Sequence, residues 1–231
     1  MSDARIALFD LDHTLIPFDS GTLFIRFLAE RGALPPDFQD TYVAHCRRYA
    51  EGRLDIVEMH RFTVGALAHH PPPALQHWLV EFEATLAPRV PEAARALVQH
   101  HRAAGHLCAL VTATTRFIAE PFARLLGLDH LLATEPQRDA HGRYTGGIAG
   151  QACFGPHKVA HVRAWLAHGN VSWERVARSW FYSDSINDLP LLLAVTDPVA
   201  IDPDPRLRAE ADARGWPVRG LADSVPIAHA G

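Results

Sequence analysis

A short segment near the N-terminus joins an apolar run to two carboxylates. The run Ile6-Ala7-Leu8-Phe9 is typical of a strand that is buried on both faces, and Asp10, Asp12 and Thr14 follow at alternate positions. In an extended backbone, these three side chains would lie on one side. Two neighbouring anions need a cation, a shared proton or a hydrogen-bonded cage, and Mg²⁺ prefers such oxygen ligands. The segment therefore predicts a magnesium site or, in a purely structural interpretation, a strand followed by an acidic turn.

The spacing of these carboxylates does not fit a calcium-binding EF-hand loop. A loop of that kind beginning at Asp10 would need glycine at the position of Leu15 and glutamate at the position of Gly21. We therefore do not expect an EF-hand.

The composition is that of an ordinary globular protein. The 231 residues are enough for one large domain or for a domain with an insert, and 48% of them are hydrophobic. A net charge of −4 gives no electrostatic reason to bind nucleic acid or an anionic membrane. The sequence has no membrane-spanning apolar run or signal-peptide pattern, and three widely spaced cysteines suggest free thiols. We expect a cytoplasmic protein, either a monomer or a homodimer.

Four helices are predicted between residues 17 and 86, where no segment has the pattern of a strand. The first has Asp19 or Ser20 as its N-cap, and Pro71-Pro72-Pro73 separates the last two. We therefore expect a helical cap domain of residues 17–86, inserted into a core domain formed by residues 1–16 and 87–231. The predicted helices cover residues 18–31, 36–50, 54–69 and 73–86.

Strands and helices alternate after residue 87, which predicts an α/β fold with a doubly wound parallel sheet. In such sheets, ligands bind beyond the carboxyl ends of the strands. Three predicted strand ends carry polar groups: the pair Asp10 and Asp12, then Thr112, then the pair Asp184 and Asp188. The fold would bring these distant residues together. The predicted strands are 106–111, 131–134, 180–183, 199–201 and 216–218, with a hairpin in 137–150; the predicted helices are 91–104, 118–126, 155–168 and 187–194.

Four segments resemble the motifs of the haloacid dehalogenase superfamily. Phe9-Asp10-Leu11-Asp12-His13-Thr14-Leu15 resembles its first motif, D-x-D-x-T, and Val111-Thr112-Ala113-Thr114 resembles the second, a strand that ends in Ser or Thr. Lys158 matches the third motif, and Ser183-Asp184-Ser185-Ile186-Asn187-Asp188 resembles the fourth, G-D-x-x-N-D. Order and spacing fit from residue 5 to about residue 202. The helical insert after the first motif is similar to that of the phosphoserine-phosphatase-like branch.

This resemblance implies phosphoryl transfer through a covalent intermediate. Asp10 would attack phosphorus and form an aspartyl-phosphate. Asp12 would protonate the leaving alkoxide and then deprotonate the attacking water. Because a second carboxylate at this position distinguishes the phosphatases of the superfamily from its dehalogenases, we expect a phosphatase.

The resemblance also implies how the charged substrate would be bound. A phosphate monoester repels nucleophiles, so cations are needed to neutralise it. Mg²⁺ would be held by the Asp10 side chain, the Asp12 main-chain carbonyl and Asp184, with Asp188 as a further ligand or as support. The implied phosphate-binding groups are Thr112, the N–H of Ala113, Lys158 and, in support of them, Asn187.

Each of these binding residues also has a structural interpretation. Thr112 alone would more often be a helix cap, and Lys158 alone would be a solvated side chain. Asp184 and Asp188 could cap the helix that is predicted to begin at Asn187. Only the joint occurrence of all the motifs favours the active-site interpretation.

Four residues near the motifs carry weaker functional signals. Ser183 replaces the usual glycine and is small enough to be tolerated, and His13 occupies a position where glycine is common, so we expect a passive role for it. His157 and His161 are four residues apart on a predicted helix, a spacing that can chelate a metal. Without a third ligand, and with Lys158 beside them, they are expected to be surface residues.

The segment after the first motif bears on the substrate. Phosphoserine phosphatases carry a carboxylate nine residues after the nucleophile that binds the substrate ammonium; here this residue is Asp19, for which a helix N-cap is an equal alternative. Aligning Glu51-Gly52-Arg53-Leu54 with the E-G-K-L run of those enzymes places Thr63 where they bind the serine carboxylate with arginine, and Arg61 would point elsewhere. Since an unpaired buried carboxylate is costly, we expect an amine-bearing substrate without a carboxylate.

The N-terminal segment resembles the histidinol-phosphate phosphatase branch most. Residues 10–20 fit its pattern D-L-D-x-T-L-x-x-x-D-S, and Asp19 and Glu58 could pair with the amine and imidazole of histidinol phosphate. Gly21 and Thr22 stand where that branch often has an acid and an aromatic residue, so the ring-binding residues stay open. A phosphoserine phosphatase, another small-metabolite phosphatase, a phosphotransferase or mutase, and a non-catalytic scaffold are the alternatives.

Overall fold

The computed structural model describes residues 4–50, 53 and 55–224. Glu51, Gly52 and Leu54, part of the run used for the alignment above, therefore lie outside the described residues. The strands are β1 (Ala4–Phe9), β2 (Leu107–Thr115), β3 (His130–Thr134), β4 (Pro136–Arg138), β5 (Tyr144–Ile148), β6 (Val176–Ser183), β7 (Asp197–Ile201) and β8 (Val218–Arg219). The α-helices are α1 (Ser20–Ala29), α2 (Phe38–Ala50), α3 (Ile56–Gly65), α4 (Pro72–Ala84), α5 (Glu92–Ala103), α6 (Arg116–Leu126), α7 (Pro156–His168), α8 (Leu189–Ala194) and α9 (Pro205–Arg214).

Six of the strands form one parallel sheet in the order β3-β2-β1-β6-β7-β8, and β4 and β5 form a separate antiparallel hairpin. The chain moves outward from β1 to β2 and β3, and then returns to the other side of β1 with β6. The strand order therefore reverses between β1 and β6, where open α/β sheets bind their ligands. The prediction of a doubly wound α/β fold is confirmed.

The apolar run of β1 is explained by its central position in the sheet. Ala7 and Phe9 belong to a hydrophobic cluster on one face, and Ile6 and Leu8 belong to a second cluster on the other. All four residues are fully buried. Because alternate side chains of a strand point to opposite faces, a strand covered by helices on both sides has no position for a polar residue.

Helices α1 to α4 occupy the segment between β1 and α5, and the described part of 17–86 contains no strand, as expected. These helices are not separated from the rest of the hydrophobic core. The ring centre of Phe24 on α1 lies 5.0 Å from the ring centre of Phe82 on α4 and 5.7 Å from that of Phe117 on α6. The division into a core domain and a cap domain of residues 17–86 stays a prediction.

The C-terminal part of the chain contains a helix that the hydrophobic pattern does not predict. Helix α9 buries only Leu207 and Ala211, but its ends are well defined by Asp204, whose side chain accepts two backbone N–H groups, and by Gly215, with φ +68°. The helix predicted at 187–194 begins one residue early as a 3-10 turn, Ile186–Asp188, and continues as α8. Among the described residues, no helix has the length and apolar character needed to cross a bilayer.

Candidate active site

The chain leaves the extended conformation directly after β1. Asp10 still donates its N–H to Tyr182 O of β6 at 3.0 Å, but the N–H of Thr14 turns back to Leu11 O at 3.3 Å. The prediction of an extended backbone through Thr14 is therefore wrong. The turn directs Thr14 towards Asp10, while the carboxylate of Asp12 has other partners.

Thr14 joins the carboxylates at the ends of two neighbouring strands. Its Oγ1 lies 3.4 Å from Asp10 Oδ2 after β1 and 3.1 Å from Asp184 Oδ1 after β6, and it accepts the N–H of Asp184 at 3.0 Å. Both carboxylates thus lie around one hydroxyl group. Burial raises the pKa of Asp10 to about 6, against the opposing charge of Lys158. Burial and the charge of Asp10 raise the pKa of Asp184 to about 8.

Lys158 supplies a buried positive charge to this cluster. Its Nζ donates to Asp10 Oδ1 at 2.8 Å and to Asp188 Oδ2 at 2.7 Å, and only 2% of the residue is exposed. Burial alone would lower the pKa of Lys158, but the charges of Asp10 and Asp188 outweigh it and hold the pKa above its usual value. Ser183 also donates to Asp188 Oδ2, at 2.7 Å, so the serine in place of glycine takes part in the site.

The Asp12 carboxylate is bound on both of its oxygens. Oδ1 accepts the N–H of Ser20 at 2.7 Å, and Oδ2 accepts the hydroxyl of Thr114 at 2.6 Å. Burial, and then the charge of Asp19, raise the pKa of Asp12 to about 7. Neither Thr114 nor Ser20 was predicted as a partner of Asp12, because only the fold brings β2 and α1 to Asp12.

The residues expected to bind phosphate differ in their burial and in their hydrogen bonds. Thr112 is buried on β2, and its Oγ1 accepts the N–H of Thr114 at 3.1 Å, so its own proton is available to an anion. It does not cap α6, which begins after Thr115. The carbonyl of Ala113 accepts the Thr134 hydroxyl at 2.8 Å. Asn187 is exposed, and among the described residues its side chain forms no hydrogen bond with the carboxylate cluster.

Asp19 lies between α1 and the active-site loop. Its Oδ1 accepts the N–H of Thr22 and caps α1, so the capping interpretation is confirmed. The hydroxyl of Tyr42 on α2 occupies the space where a Cβ of residue 21 would lie, which explains why Gly21 stands there. Burial and the charge of Asp19 raise the pKa of Tyr42 well above its usual value. The structure therefore places an aromatic residue of α2, Tyr42, beside Gly21, although the sequence has no aromatic residue at positions 21 and 22.

The secondary candidates are mostly peripheral. Thr63 is buried and donates its hydroxyl to Met59 O at 2.9 Å, and Arg61 and Glu58 are exposed. Exposed His13 has φ +59°, a conformation favoured by glycine, and its passive role stays a prediction. His161 lies 3.1 Å from Gln151 O, and its neighbour His157 is exposed.

The cluster has the donor chemistry of a magnesium site. Asp10 and Asp184 present carboxylate oxygens whose negative charges are only partly balanced, and the Asp12 carbonyl is next to Asp10 in the chain. Hard oxygen donors of this kind suit Mg²⁺, which usually keeps several waters. In the described part of the chain, no three His, Cys, Asp or Glu side chains form a complete metal site. Asp188 Oδ2 binds Lys158 and Ser183, which favours a supporting role for Asp188.

The sequence matches a known enzyme family. Residues 7–193 match the family model described as haloacid dehalogenase-like hydrolase. The chain belongs to the haloacid dehalogenase-like hydrolases. The hydrolase is 35% identical over 218 residues to a histidinol-phosphatase of Neisseria meningitidis serogroup C, an alignment that covers 93% of this chain and 97% of that protein.

Other relatives agree with this assignment. The hydrolase is 35% identical over 150 residues to phosphoserine phosphatase SerB1 of Mycobacterium tuberculosis. This alignment covers 65% of this chain but only 47% of that protein. A Bordetella pertussis protein of unknown function is 44% identical and superposes with a TM-score of 0.88, covering 95% of this chain and 100% of that one. A substrate-bound phosphoserine phosphatase has a TM-score of 0.67 at 17% identity over 96% and 94% of the chains, a likeness of fold alone. The hydrolase is a phosphatase.

The raised pKa values of these carboxyl groups predict that the stabilisation of the protein by added Mg²⁺ depends on pH. A carboxyl group whose pKa is raised by folding adds stability below its unfolded pKa of about 4, and this stability is lost as pH rises through the folded value. For Asp10, Asp12 and Asp184 the loss extends to about pH 8. At pH 8, Mg²⁺ at 100 times its Kd should raise the free energy of unfolding by about 2.7 kcal/mol, which corresponds to about 5 to 10 °C in Tm. At pH 5, the increase should be less than half as large.

Thermal melts at pH 5 and pH 8, with EDTA or with excess Mg²⁺, measure this effect. Asp184→Asn is the control variant and should lose most of the magnesium-dependent increase at pH 8. Equal increases at both pH values, or none at either, would contradict magnesium binding by these carboxylates.

Proposed function

We propose that this hydrolase is a magnesium-dependent phosphomonoesterase that works through an aspartyl-phosphate on Asp10. The observation that carries the proposal is the environment of the Asp10 carboxylate at the reversal point of the sheet. One oxygen accepts from Lys158 Nζ at 2.8 Å, and the other lies 3.4 Å from Thr14, whose hydroxyl also contacts Asp184. A carboxylate held in this way has a fixed direction of attack, which is the main requirement for phosphoryl transfer.

The two halves of the reaction use Asp10 and Asp12. An Asp10 oxygen forms a bond to phosphorus while the bond from phosphorus to the ester oxygen breaks, and Asp12 gives its proton to the departing alkoxide. Asp12 then takes a proton from a water molecule, whose oxygen bonds to phosphorus as the bond to Asp10 breaks. The products are the alcohol, inorganic phosphate and the free Asp10 carboxylate. A pKa of about 7 for Asp12 suits both steps near neutral pH.

Four further groups reduce the repulsion between the nucleophile and the phosphate. Lys158 places a permanent positive charge beside Asp10, and Thr112 has a hydroxyl proton to donate to a phosphate oxygen. Mg²⁺, held by Asp10, Asp184 and the Asp12 carbonyl, would neutralise charge on the phosphate. The N–H of Ala113 is proposed as a second donor to the phosphate.

The surroundings of Asp12 favour a substrate whose alcohol carries an amine. Asp19 raises the pKa of Asp12 through its charge, and no ion pair of Asp19 occurs in the described part of the chain. The hydroxyl of Tyr42 lies beside it. The hydroxyl of Thr63, at the position that would bind a substrate carboxylate, is already bonded to Met59 O. With the similarity to the Neisseria histidinol-phosphatase, this set supports histidinol phosphate as the substrate.

Comparison of kcat/KM for four phosphate esters tests the proposal. Histidinol phosphate, phosphoserine, a sugar phosphate and a nucleotide should be compared in Mg²⁺, and histidinol phosphate should be preferred by about tenfold or more, as expected for one charge-assisted contact. A preference for phosphoserine would contradict the role of Thr63. Absence of hydrolysis of any ester would contradict the phosphomonoesterase itself.

Asp19→Asn should separate substrate recognition from the structural role of this residue. Asparagine caps a helix as well as aspartate does, so α1 should be preserved while the negative charge is lost. We expect kcat/KM for an amine-bearing ester to fall about tenfold to a hundredfold, because a charge-assisted hydrogen bond contributes about 1.5 to 3 kcal/mol. The value for benzyl phosphate, which has no amine but releases an alkoxide that also needs a proton from Asp12, should stay within about threefold. Equal losses for both esters would contradict an ammonium-binding role.

A cytoplasmic location is also proposed. Cys46, Cys108 and Cys153 are free, and burial raises the pKa of the Cys108 and Cys153 thiols to about 11 and about 12, so they are unreactive. Such thiols agree with a reducing compartment. Whether the hydrolase is a monomer or a homodimer can be measured by sedimentation.

A further inference from the structure

The hydroxyl of Thr114 forms a short hydrogen bond with the candidate acid–base residue. Thr114 is the penultimate residue of β2, and its Oγ1 lies 2.6 Å from Asp12 Oδ2. This distance is in the range of charge-assisted O–H···O⁻ bonds. The other carboxylate oxygen is held at 2.7 Å by the N–H of Ser20 at the start of α1. Asp12 is therefore held from the sheet on one side and from a helix of the insert on the other.

The proton positions around Thr114 follow from its single hydroxyl hydrogen. Because that hydrogen is donated to Asp12, the Thr114 oxygen can only accept from Ser20 Oγ, which lies 3.4 Å away. The N–H of Thr114 donates to Thr112 Oγ1 at 3.1 Å. One residue thus connects the acid–base carboxylate with the hydroxyl that is proposed to bind phosphate.

We infer that Thr114 is a positioning residue that aligns Asp12 with the leaving oxygen of the ester. The inference rests on the proposed function, in which Asp12 protonates the alkoxide. With one lone pair of each oxygen occupied, the carboxyl group cannot rotate, and the proton on a remaining lone pair has a fixed direction. Proton transfer needs heavy atoms within about 2.6 to 3.2 Å of each other, and a displacement of about 1 Å can cost about a hundredfold in rate.

The role of Thr114 predicts a dependence on the leaving group. Benzyl phosphate releases an alkoxide that must be protonated as it leaves, whereas 4-nitrophenolate leaves without a proton. Thr114→Val keeps the shape of the side chain and removes the hydroxyl. We expect kcat/KM for benzyl phosphate to fall about tenfold to a hundredfold and that for 4-nitrophenyl phosphate to change by less than about threefold. This parameter reports on formation of the phosphoenzyme, the step in which the alcohol leaves.

Two further variants act as controls for the loss of the hydroxyl. Thr114→Ser keeps the donor and should restore the wild-type ratio between the two esters. Thr115→Val removes a hydroxyl group from the same strand, but this hydroxyl lies 3.2 Å from His60 Nδ1 and not beside a carboxylate. The variant should leave the ratio of kcat/KM between the two esters unchanged. Circular dichroism and Tm values show whether each variant is folded, and Thr114→Ala replaces the valine variant if that variant is not.

The outcomes distinguish this inference from the proposed function. Equal losses for both esters, no loss for benzyl phosphate, or a serine variant as impaired as the valine variant would each overturn the role of Thr114. If the wild-type protein hydrolyses neither ester in Mg²⁺, the proposed function fails instead. A selective loss for benzyl phosphate that Thr114→Ser reverses would support both.

Discussion

Asp10→Asn is expected to lower phosphatase turnover by about 10⁴-fold or more, because an amide cannot act as the anionic nucleophile. The fold should survive this change. Asparagine has nearly the same shape, and Lys158 keeps its second partner, Asp188 Oδ2, at 2.7 Å. Loss of a buried anion whose charge raises the pKa of Asp184 also relieves a repulsion. We therefore expect a Tm within a few degrees of that of the wild-type protein.

The measurement is kcat for 4-nitrophenyl phosphate in Mg²⁺ with purified protein. Asp129→Asn is a suitable control, since this exposed residue pairs only loosely with Arg102, at 3.7 Å, and its substitution should leave kcat unchanged. Asp10→Ala should be measured alongside, because deamidation of asparagine can regenerate aspartate. Turnover that persists in both Asp10 variants would contradict the nucleophile assignment.

Lys158→Met is expected to lower both stability and activity. Without the ammonium group, Asp10 and Asp188 would remain buried with no cation between them, and breaking a buried pair in this way costs about 3 to 5 kcal/mol. For a chain of this size, the loss corresponds to about 6 to 20 °C in Tm. The value of kcat/KM should fall by about 10² or more, because a charge next to the transferred phosphoryl group is lost.

Denaturant titration in EDTA and kinetics in Mg²⁺ measure the two effects separately. Arg163→Met is a matched control on the exposed face of α7; its guanidinium lies 5.9 Å from the centre of the Trp173 ring, so the change in stability should be less than about 1 kcal/mol. The double variant Lys158→Met/Asp188→Asn removes one of the unpaired charges and should recover part of the lost stability. A Lys158→Met protein as stable and as active as the wild type would contradict the electrostatic account.

The sequence itself contains a signal for Lys158 that its motif does not use. Of the 22 basic residues, 21 are arginine, and Lys158 is the single lysine. Its Nζ is a compact donor that reaches two carboxylates in a buried space, and the planar fork of arginine differs from it in shape and donor geometry. Lysine at this one position therefore agrees with a steric and electrostatic requirement.

The central strand and the sheet could be predicted because their cause is local. An apolar run that is followed by helical segments, such as Ile6 to Phe9, has one simple solution: a strand covered on both faces. Helix α9 could not be predicted from hydrophobicity, because two buried residues, Leu207 and Ala211, produce no periodic pattern. Its local signals are the two caps, Asp204 and Gly215.

The site was predictable where a residue ends a strand and unpredictable where the fold brings in a partner. Asp10 and Asp184 directly follow the ends of β1 and β6, as predicted, whereas β2 does not end before Thr112 as predicted but continues to Thr115. The partners of Asp12, namely Thr114 and the N–H of Ser20, depend on how the turn after β1 directs the side chain, and an extended backbone does not predict them. Tyr42 reaches Asp19 only through the packing of α2 on α1, for which Gly21 was the sole local sign.

Trapping of the phosphoenzyme tests the central claim most directly. The enzyme is mixed with substrate and Mg²⁺, quenched in acid and reduced with borohydride, which converts an aspartyl-phosphate to homoserine, and the peptides are then sequenced by mass spectrometry. Our account predicts homoserine at position 10, only when substrate is present and not in Asp10→Asn. Active enzyme that yields homoserine at another aspartate, or phosphate attached to a histidine, would contradict it.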